Sequence, residues 1–223
     1  MYMPPRKKDG TQYKPNLTGY VKSITLEEFN LLLSVLKPHQ THYRLILIIM
    51  YYMGLRVGEV VRLKYSSLQA HDGRNLLIYN EPKTGQVRER VIPDLVQKEI
   101  ETYLFIEKHS RPYSFSSYLF PVNRGKIDET GHIKTATIQW LFKNLRDKTG
   151  LTYIYHIKTT GQPLFKISAH TLRHGFITNF YEKSGNDIIL TQRVIGHKKI
   201  TTTANYIKAS KPKEQEERIV NMI

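Results

Sequence analysis

Hydrophobic side chains recur at helical intervals along most of the chain. In the first such segment, 23–37, Thr25 stands three residues before Glu28, which is the spacing of a capping box. The segment Thr41–Met53 is apolar nearly all round, as is typical of a buried central helix. The same periodicity predicts further helices over 56–63, 94–108, 135–148, 170–183, 187–195, 199–208 and 212–222.

Two regions depart from the helical pattern. Residues 76–79 and 87–92 have strand character and flank a turn at 82–85, so they predict a β-hairpin. Residues 152–167 alternate apolar and polar positions around a second turn and predict another hairpin, which we expect to reach DNA or a neighbouring subunit. The expected fold class is therefore α+β, mainly α with a small antiparallel β-sheet at one edge.

Composition and charge narrow the choice of partner. The 223 residues, 40% of them hydrophobic, suffice for one sizeable core, and the absence of cysteine excludes disulfides and thiolate zinc sites. The net charge of +15 favours a polyanionic partner, because each cation that neutralises a phosphate releases counterions. Charge alone leaves open general solubility or a membrane-surface patch. The longest apolar stretch, Leu45–Gly54, is about half the length that spans a bilayer, so no membrane partner is expected.

Several polar residues occupy positions where the pattern would favour apolar ones. Guanidinium groups meet phosphate oxygens two bonds at a time and stay charged at any working pH. Histidine relays protons near neutral pH, and tyrosine, with a pKa of about 10, needs an electropositive setting to act as a nucleophile. Together these residue types suit phosphoryl transfer. The sequence shows no carboxylate cluster of the kind that holds catalytic metals, so neither a metal nor another cofactor is expected. These residues are Arg56, Glu59, His170, Arg173, His197 and Tyr206.

These residues lie in motifs that resemble those of the tyrosine site-specific recombinases, the family of phage integrases and Xer-type enzymes. The motifs are Gly-Leu-Arg-x-Gly-Glu at 54–59, Ile-Ser-x-His-x-Leu-Arg-His at 167–174, Ile-Gly-His at 195–197 and Thr-x-x-Tyr at 203–206. Each motif alone is weak, but together, in the family's order, they are specific. The resemblance covers 23–210 and implies the catalytic-domain fold of the DNA breaking–rejoining enzymes.

The resemblance implies a role for each matched residue. Arg56 and Arg173 are similar to the two arginines that hold the scissile phosphate. His170 resembles the residue that serves in acid–base work, and His197 the one that bonds the phosphate and positions the nucleophile. Tyr206 resembles the nucleophile, which takes the 3′ phosphate and frees a 5′ hydroxyl.

Further roles follow from the same resemblance. Lys83, in the first hairpin turn, resembles the lysine that protonates the leaving oxygen, with Lys64 and Arg88 as alternatives. Glu59 resembles an acidic residue that supports the site without reacting. His174 is expected to support or pack against the site and is not included among the catalytic residues.

The implied function is that of a site-specific recombinase or integrase that cleaves and rejoins double-stranded DNA through a 3′-phosphotyrosyl intermediate, without metal or ATP. A type IB topoisomerase uses a similar constellation, and a non-catalytic DNA-binding regulator or relic could keep the fold. The expected assembly is a homo-oligomer, a tetramer on paired DNA sites. The expected location is the cytoplasm, on the nucleoid.

Three segments are expected along the chain. Residues 1–22, rich in proline and lysine, predict a flexible basic N-terminal segment. Residues 23–210 form the expected catalytic domain, and 211–223 a C-terminal helix that docks on a neighbouring protomer or folds back in cis. Family members usually carry an additional N-terminal helical domain that closes around DNA. The sequence leaves open whether that domain is naturally absent or belongs to a longer protein.

Overall fold

The fold is seen in a computed structural model that describes residues 23–82, 84–110, 114–122, 131–157 and 160–208. These residues form two compact units. The Arg56 unit is Leu36–Leu141, and the Tyr206 unit comprises the described residues up to Val35 and from Phe142 onward. The predicted N-terminal segment 1–22 and C-terminal helix 212–222 lie outside the described residues, and both stay predictions.

The Arg56 unit combines helices with an antiparallel sheet of three strands, which are adjacent in chain order. A short 3-10 helix, Tyr65–Ser67, precedes the sheet. A further helix, α5 (Thr135–Thr149), begins in this unit and ends in the Tyr206 unit. The other elements are α2 (Thr41–Met53), α3 (Val57–Val60), β1 (Leu68–His71), β2 (Arg74–Asn80), β3 (Val87–Val91) and α4 (Asp94–Ser110).

The centre of the Arg56 unit is α2, whose residues from Leu45 to Met50 are each at most 1% exposed. This confirms the buried helix that the apolar run predicts. Gly54 ends the helix in the left-handed conformation, with φ of 65°, which glycine adopts without steric penalty. The chain then turns so that Arg56 directly precedes the first residue of α3. This helix ends at Val60 and is shorter than the helix predicted over 56–63.

The sheet confirms the first predicted hairpin and adds a strand that was not predicted. In the β2–β3 pair Leu77 lies opposite Arg90 and Tyr79 opposite Arg88, which places these side chains on one face of the sheet. The added strand, β1, pairs with β2. It carries no alternating pattern because only its first residue is partly buried and the other three are exposed.

The Tyr206 unit contains the remaining elements, and its last three helices, α6 (Ala169–Lys183), α7 (Ile188–Ile195) and α8 (Ile200–Lys208), pack on one another. The capping box at Thr25 and Glu28 is confirmed, with backbone-to-side-chain bonds of 2.9 and 3.2 Å. The second predicted hairpin is confirmed as β4 and β5. No helix among the described residues is long and apolar enough to cross a membrane. The bounds of the other elements are α1 (Leu26–Ser34), β4 (Ile154–Ile157) and β5 (Pro163–Phe165).

The start of α6 is fixed from two sides. Arg146 of α5 donates from Nη1 to the Ile167 carbonyl at 2.8 Å, just before the helix begins. Ser168 caps the helix by accepting the backbone N–H of Thr171. Gly175 packs closely against the segment before α1, since a Cβ built on it would lie 3.4 Å from Ile24, at van der Waals contact. These contacts set the direction in which the first turns of α6 present their side chains.

Candidate active site

Two carboxylates hold Arg56 in the Arg56 unit. Glu59 accepts the Arg56 backbone N–H at 2.6 Å through Oε2 and the guanidinium Nη1 at 2.8 Å through Oε1. The same Nη1 donates to Glu81 Oε1 at 3.1 Å. The side chains of Glu59 and Glu81 are only 3% and 10% exposed, whereas that of Arg56 is 39% exposed. The guanidinium is therefore anchored on its buried side and accessible to a ligand.

Glu81 is a residue that the sequence analysis missed. Its second oxygen, Oε2, accepts the Thr84 hydroxyl at 2.8 Å and lies 3.6 Å from Arg88 Nη2. The Thr84 hydrogen bond, followed by the charges of Arg56 and Arg88, lowers the pKa of Glu81 even though burial acts in the opposite direction. Glu81 is consequently a carboxylate at neutral pH. The sequence signal that could have identified Glu81 is its position, because it is a charged residue that continues the alternating buried positions of β2.

Lys83 lies outside the described residues, so its predicted role stays a prediction. The turn around it is closed by two 2.8 Å backbone bonds, from the Glu81 N–H to the Gln86 carbonyl and from the Gly85 N–H to the Glu81 carbonyl. Of the two alternatives to Lys83, Arg88 lies beside Glu81. The other alternative, Lys64, places its Nζ 5.3 Å from the centre of the Tyr118 ring.

Three histidines surround Tyr206 in the Tyr206 unit. The ring centroid of Tyr206 lies 4.1 Å from that of His174, 5.2 Å from that of His197 and 5.7 Å from that of His170. The tyrosine hydroxyl is 3.5 Å from His170 Nε2, a long contact at the edge of hydrogen bonding. His170 is exposed and Tyr206 is half-buried. The hydroxyl thus lies where the histidine cluster meets the surface.

Arg173 is buried and tied to the end of the neighbouring helix. Its Nη2 donates to the carbonyl of Ile195 at 3.0 Å. Because α6 begins at Ala169, His170 lies in its first turn, where the helix dipole adds partial positive charge, and Arg173 follows three residues later. Such a position favours an anion.

A buried hydrogen bond joins His197 to α8. Its Nδ1 lies 3.0 Å from the Thr203 hydroxyl, and Thr203 is fully buried. The His197 carbonyl accepts a bond from Gln192 at 3.0 Å, directly after Gly196 ends α7 with φ of 75°. Thr203 therefore fixes the imidazole ring, a role that its place in the Thr-x-x-Tyr motif did not reveal.

The predicted site residues fall into two groups. Arg56 and Glu59 are brought together in the Arg56 unit. The Tyr206 unit brings together His170, Arg173, His197 and Tyr206. His174, which the sequence assigned to support or packing, has the ring nearest to Tyr206 of the three histidines. Within the described part of the chain, no group of three or more carboxylate or histidine side chains is arranged to hold a metal.

Comparison with known proteins defines the class. The chain belongs to the phage integrase family, whose sequence pattern matches residues 22–213. It is 30% identical over 189 residues to the tyrosine recombinase XerA of Thermococcus onnurineus (strain NA1) and 32% identical over 189 residues to that of Pyrococcus furiosus (strain ATCC 43587 / DSM 3638 / JCM 8422 / Vc1). Both matches cover 85% of this chain and 58% of the relative, so the chain spans little more than half of their length.

Solved structures agree on the fold. The XerH site-specific recombinase in a post-cleavage complex with palindromic difH substrate superposes with a TM-score of 0.68 at 19% identity, covering 96% of this chain and 58% of that one. The crystal structure of XerA recombinase gives a TM-score of 0.65 at 22% identity, covering 90% and 64%. The predicted tyrosine recombinase catalytic-domain fold is confirmed.

Proposed function

We propose that this chain acts as a site-specific DNA recombinase or integrase that cleaves and rejoins double-stranded DNA through a 3′-phosphotyrosyl intermediate. The observation that carries the proposal is the Tyr206 hydroxyl beside His170, within a cluster of three histidine rings. The net charge of +15 suits a polyanionic substrate. Membership of the phage integrase family supports the same chemistry.

The cleavage step makes one bond and breaks another. Tyr206 Oη attacks the scissile phosphorus, the new P–Oη bond forms, and the bond from phosphorus to the 5′ oxygen breaks. His170 takes the phenolic proton, since its Nε2 lies 3.5 Å from the hydroxyl. Lys83 donates a proton to the leaving 5′ oxygen. The phosphotyrosyl bond keeps the energy of the broken linkage, so rejoining to a new 5′ hydroxyl requires neither ATP nor a metal.

The charge that builds on the non-bridging oxygens is offset by fixed cations and donors. Arg56 and Arg173 bind these oxygens, and both guanidinium groups are held by contacts that limit their motion. His197 donates to the phosphate, with its ring fixed by Thr203. Within each unit these contacts hold the side chains before substrate arrives, so little side-chain reorganisation is needed during the reaction.

The proposal extends to partners and location. The substrate is double-stranded DNA, and the reacting assembly is a tetramer of this chain on paired sites. The location is the cytoplasm, on the nucleoid. Residues 23–210 act as the catalytic domain, and 211–223 form the helix that docks on a neighbouring protomer.

Covalent trapping tests the proposal. The protein is incubated with fragmented DNA of its source in EDTA, denatured with detergent, and the DNA that stays attached is sequenced. Wild type and Tyr181→Phe are expected to retain DNA at a defined site, and Tyr206→Phe is expected to retain none. Tyr181 is the control because it is another tyrosine of the same unit, on α6.

Each other outcome contradicts a stated part of the proposal. Attachment by Tyr206→Phe would assign the nucleophile to another tyrosine. Binding without attachment by the wild type would favour a DNA-binding regulator over an enzyme. Relaxation of supercoils by swivelling, with no exchange between paired sites, would indicate a type IB topoisomerase.

A further inference from the structure

We propose that Glu81 is a positioning residue, which orients the Arg56 guanidinium for the scissile phosphate. The inference rests on the proposed function, in which Arg56 binds that phosphate. It concerns a residue that none of the recombinase motifs contains. Its basis is that the two oxygens of this buried carboxylate have different partners. One accepts from Arg56 and the other accepts from Thr84 in the hairpin turn.

Glu81 is itself held rigidly. Its backbone N–H and its carbonyl both take part in the turn that joins β2 to β3, each in a bond of 2.8 Å. Its side chain is only 10% exposed, and Oε2 accepts the Thr84 hydroxyl at 2.8 Å. A carboxylate fixed at both its backbone and its far oxygen can impose a position on its partner. A solvated surface pair, by contrast, would rearrange at little cost.

Glu59 and Glu81 tie Arg56 to different secondary-structure elements. Glu59 is three residues away, so its bonds tie the guanidinium to the first turn of α3. Glu81 is 25 residues away and ties the same Nη1 atom to the sheet. One bond to a long side chain leaves rotation about its torsions, whereas two bonds from separate elements restrict it. Orientation of the guanidinium therefore depends on Glu81 as well as Glu59.

The same face of the β2–β3 pair fixes the backbone that leads to Arg56. Arg90, which lies opposite Leu77 in this pair, donates from Nη1 to the carbonyl of Met53 at the end of α2. Arg88, opposite Tyr79, contacts Glu81. The hairpin thus holds both the chain before Arg56 and the side chain of Arg56, which is what a positioning surface requires.

The charges of this group balance. Arg56 and Arg88 face Glu59 and Glu81, two cations and two carboxylates. Glu81→Gln keeps the size of the side chain but removes one negative charge and one of the two acceptor oxygens. The remaining cations then lose their shared counter-charge, and the amide places an NH2 donor where one of the two oxygens accepts from Arg56 or from Thr84. Misplacement of Arg56 is the expected result.

The test compares Glu81→Gln with Glu99→Gln on the DNA site recovered by covalent trapping. Glu99 is the matched control because it also accepts an arginine in the Arg56 unit, with bonds of 3.0 and 2.6 Å from Arg44, at a distance from the motifs in sequence. Three quantities are measured for each protein: the rate constant of covalent attachment at saturating protein, the protein concentration that gives half of that rate, and the Tm.

Glu81→Gln is expected to lower the saturating rate constant by about 10- to 100-fold, since small misplacements of a catalytic group have effects of that size. Contacts to other phosphates carry most of the DNA affinity, so the half-saturating concentration should change by less than about threefold. Glu99→Gln should stay within about twofold of wild type in rate.

Two results would overturn the assignment. One is a Glu81→Gln rate constant within about twofold of wild type, outside the range expected for misplacement. The other is a higher half-saturating concentration or a lower Tm with an unchanged saturating rate constant. That result would make Glu81 a binding or stability residue. Failure of the wild type to attach to any DNA would contradict the proposed function, and is thus distinct from failure of the Glu81 assignment alone.

Discussion

Replacing Thr203 by valine tests whether the buried bond to His197 positions that histidine. Valine has nearly the shape of threonine, so Thr203→Val removes the hydroxyl that lies 3.0 Å from His197 Nδ1 without opening a cavity. Thr203 is fully buried and His197 is buried, so no water can easily replace the lost partner. The perturbation is therefore confined to one hydrogen bond and to the orientation of one ring.

The magnitude follows from the burial of both partners. A typical intramolecular hydrogen bond contributes about 1 kcal/mol net, and leaving a buried polar atom without its partner costs about 1–3 kcal/mol. In a chain of this size, 1 kcal/mol shifts the Tm by about 2–4 °C. A fall in Tm of about 2–12 °C is expected, with the smaller end applying if the ring turns to find another partner.

The catalytic effect is expected to exceed what unfolding explains. At a temperature well below the Tm, Thr203→Val should form the covalent DNA complex about 10-fold or more slowly, because His197 no longer presents its donor to the phosphate. Thr202→Val is the control, since Thr202 is exposed on the same helix. Cleavage by folded Thr203→Val at the wild-type rate would refute the reasoning.

Three further predictions concern the histidines around Tyr206 and the contacts of Glu81. His174→Ala should lower the free energy of unfolding by about 2–4 kcal/mol in urea titrations, because a buried ring 4.1 Å from that of Tyr206 is lost, whereas exposed His71→Ala should be neutral. Thr84→Val should raise the pKa of Glu81 in a carboxyl NMR titration, since the Thr84 bond is the main cause of its lowering; an unchanged pKa would assign the lowering to the arginines. Because the folded-state pKa of Glu81 is lowered, the Tm advantage of wild type over Glu81→Gln should be full near neutral pH and shrink as pH falls below about 4; a constant difference would contradict this.

Much of the local structure could be predicted from the sequence. The apolar run of α2, its bounds Thr41–Met53 and the capping box at Thr25 all depend on residues close together in the chain, and all were confirmed. The short strand β1 could not be predicted in the same way. Only Leu68 among its four residues is partly buried, so the alternation that marks a strand is absent.

The groups that position the site were harder to predict than the groups that react. Glu81 contacts Arg56 across 25 residues, and Arg173 contacts the Ile195 carbonyl across 22. No periodicity relates such pairs, because strand pairing and helix packing bring them together. The closeness of His174 to Tyr206 likewise depends on how α8 packs against α6.

This division has a physical origin. A reacting group must be of a given chemical type, so it appears in sequence as a polar residue where an apolar one would be expected. A positioning group needs only a donor or acceptor at the right place, and a backbone carbonyl serves Arg173 as a carboxylate serves Arg56. For Thr203 what matters is a hydroxyl at that location, beside His197 Nδ1. Substitutions that keep shape and remove one polar atom therefore test the positioning groups most directly, since they separate orientation from packing.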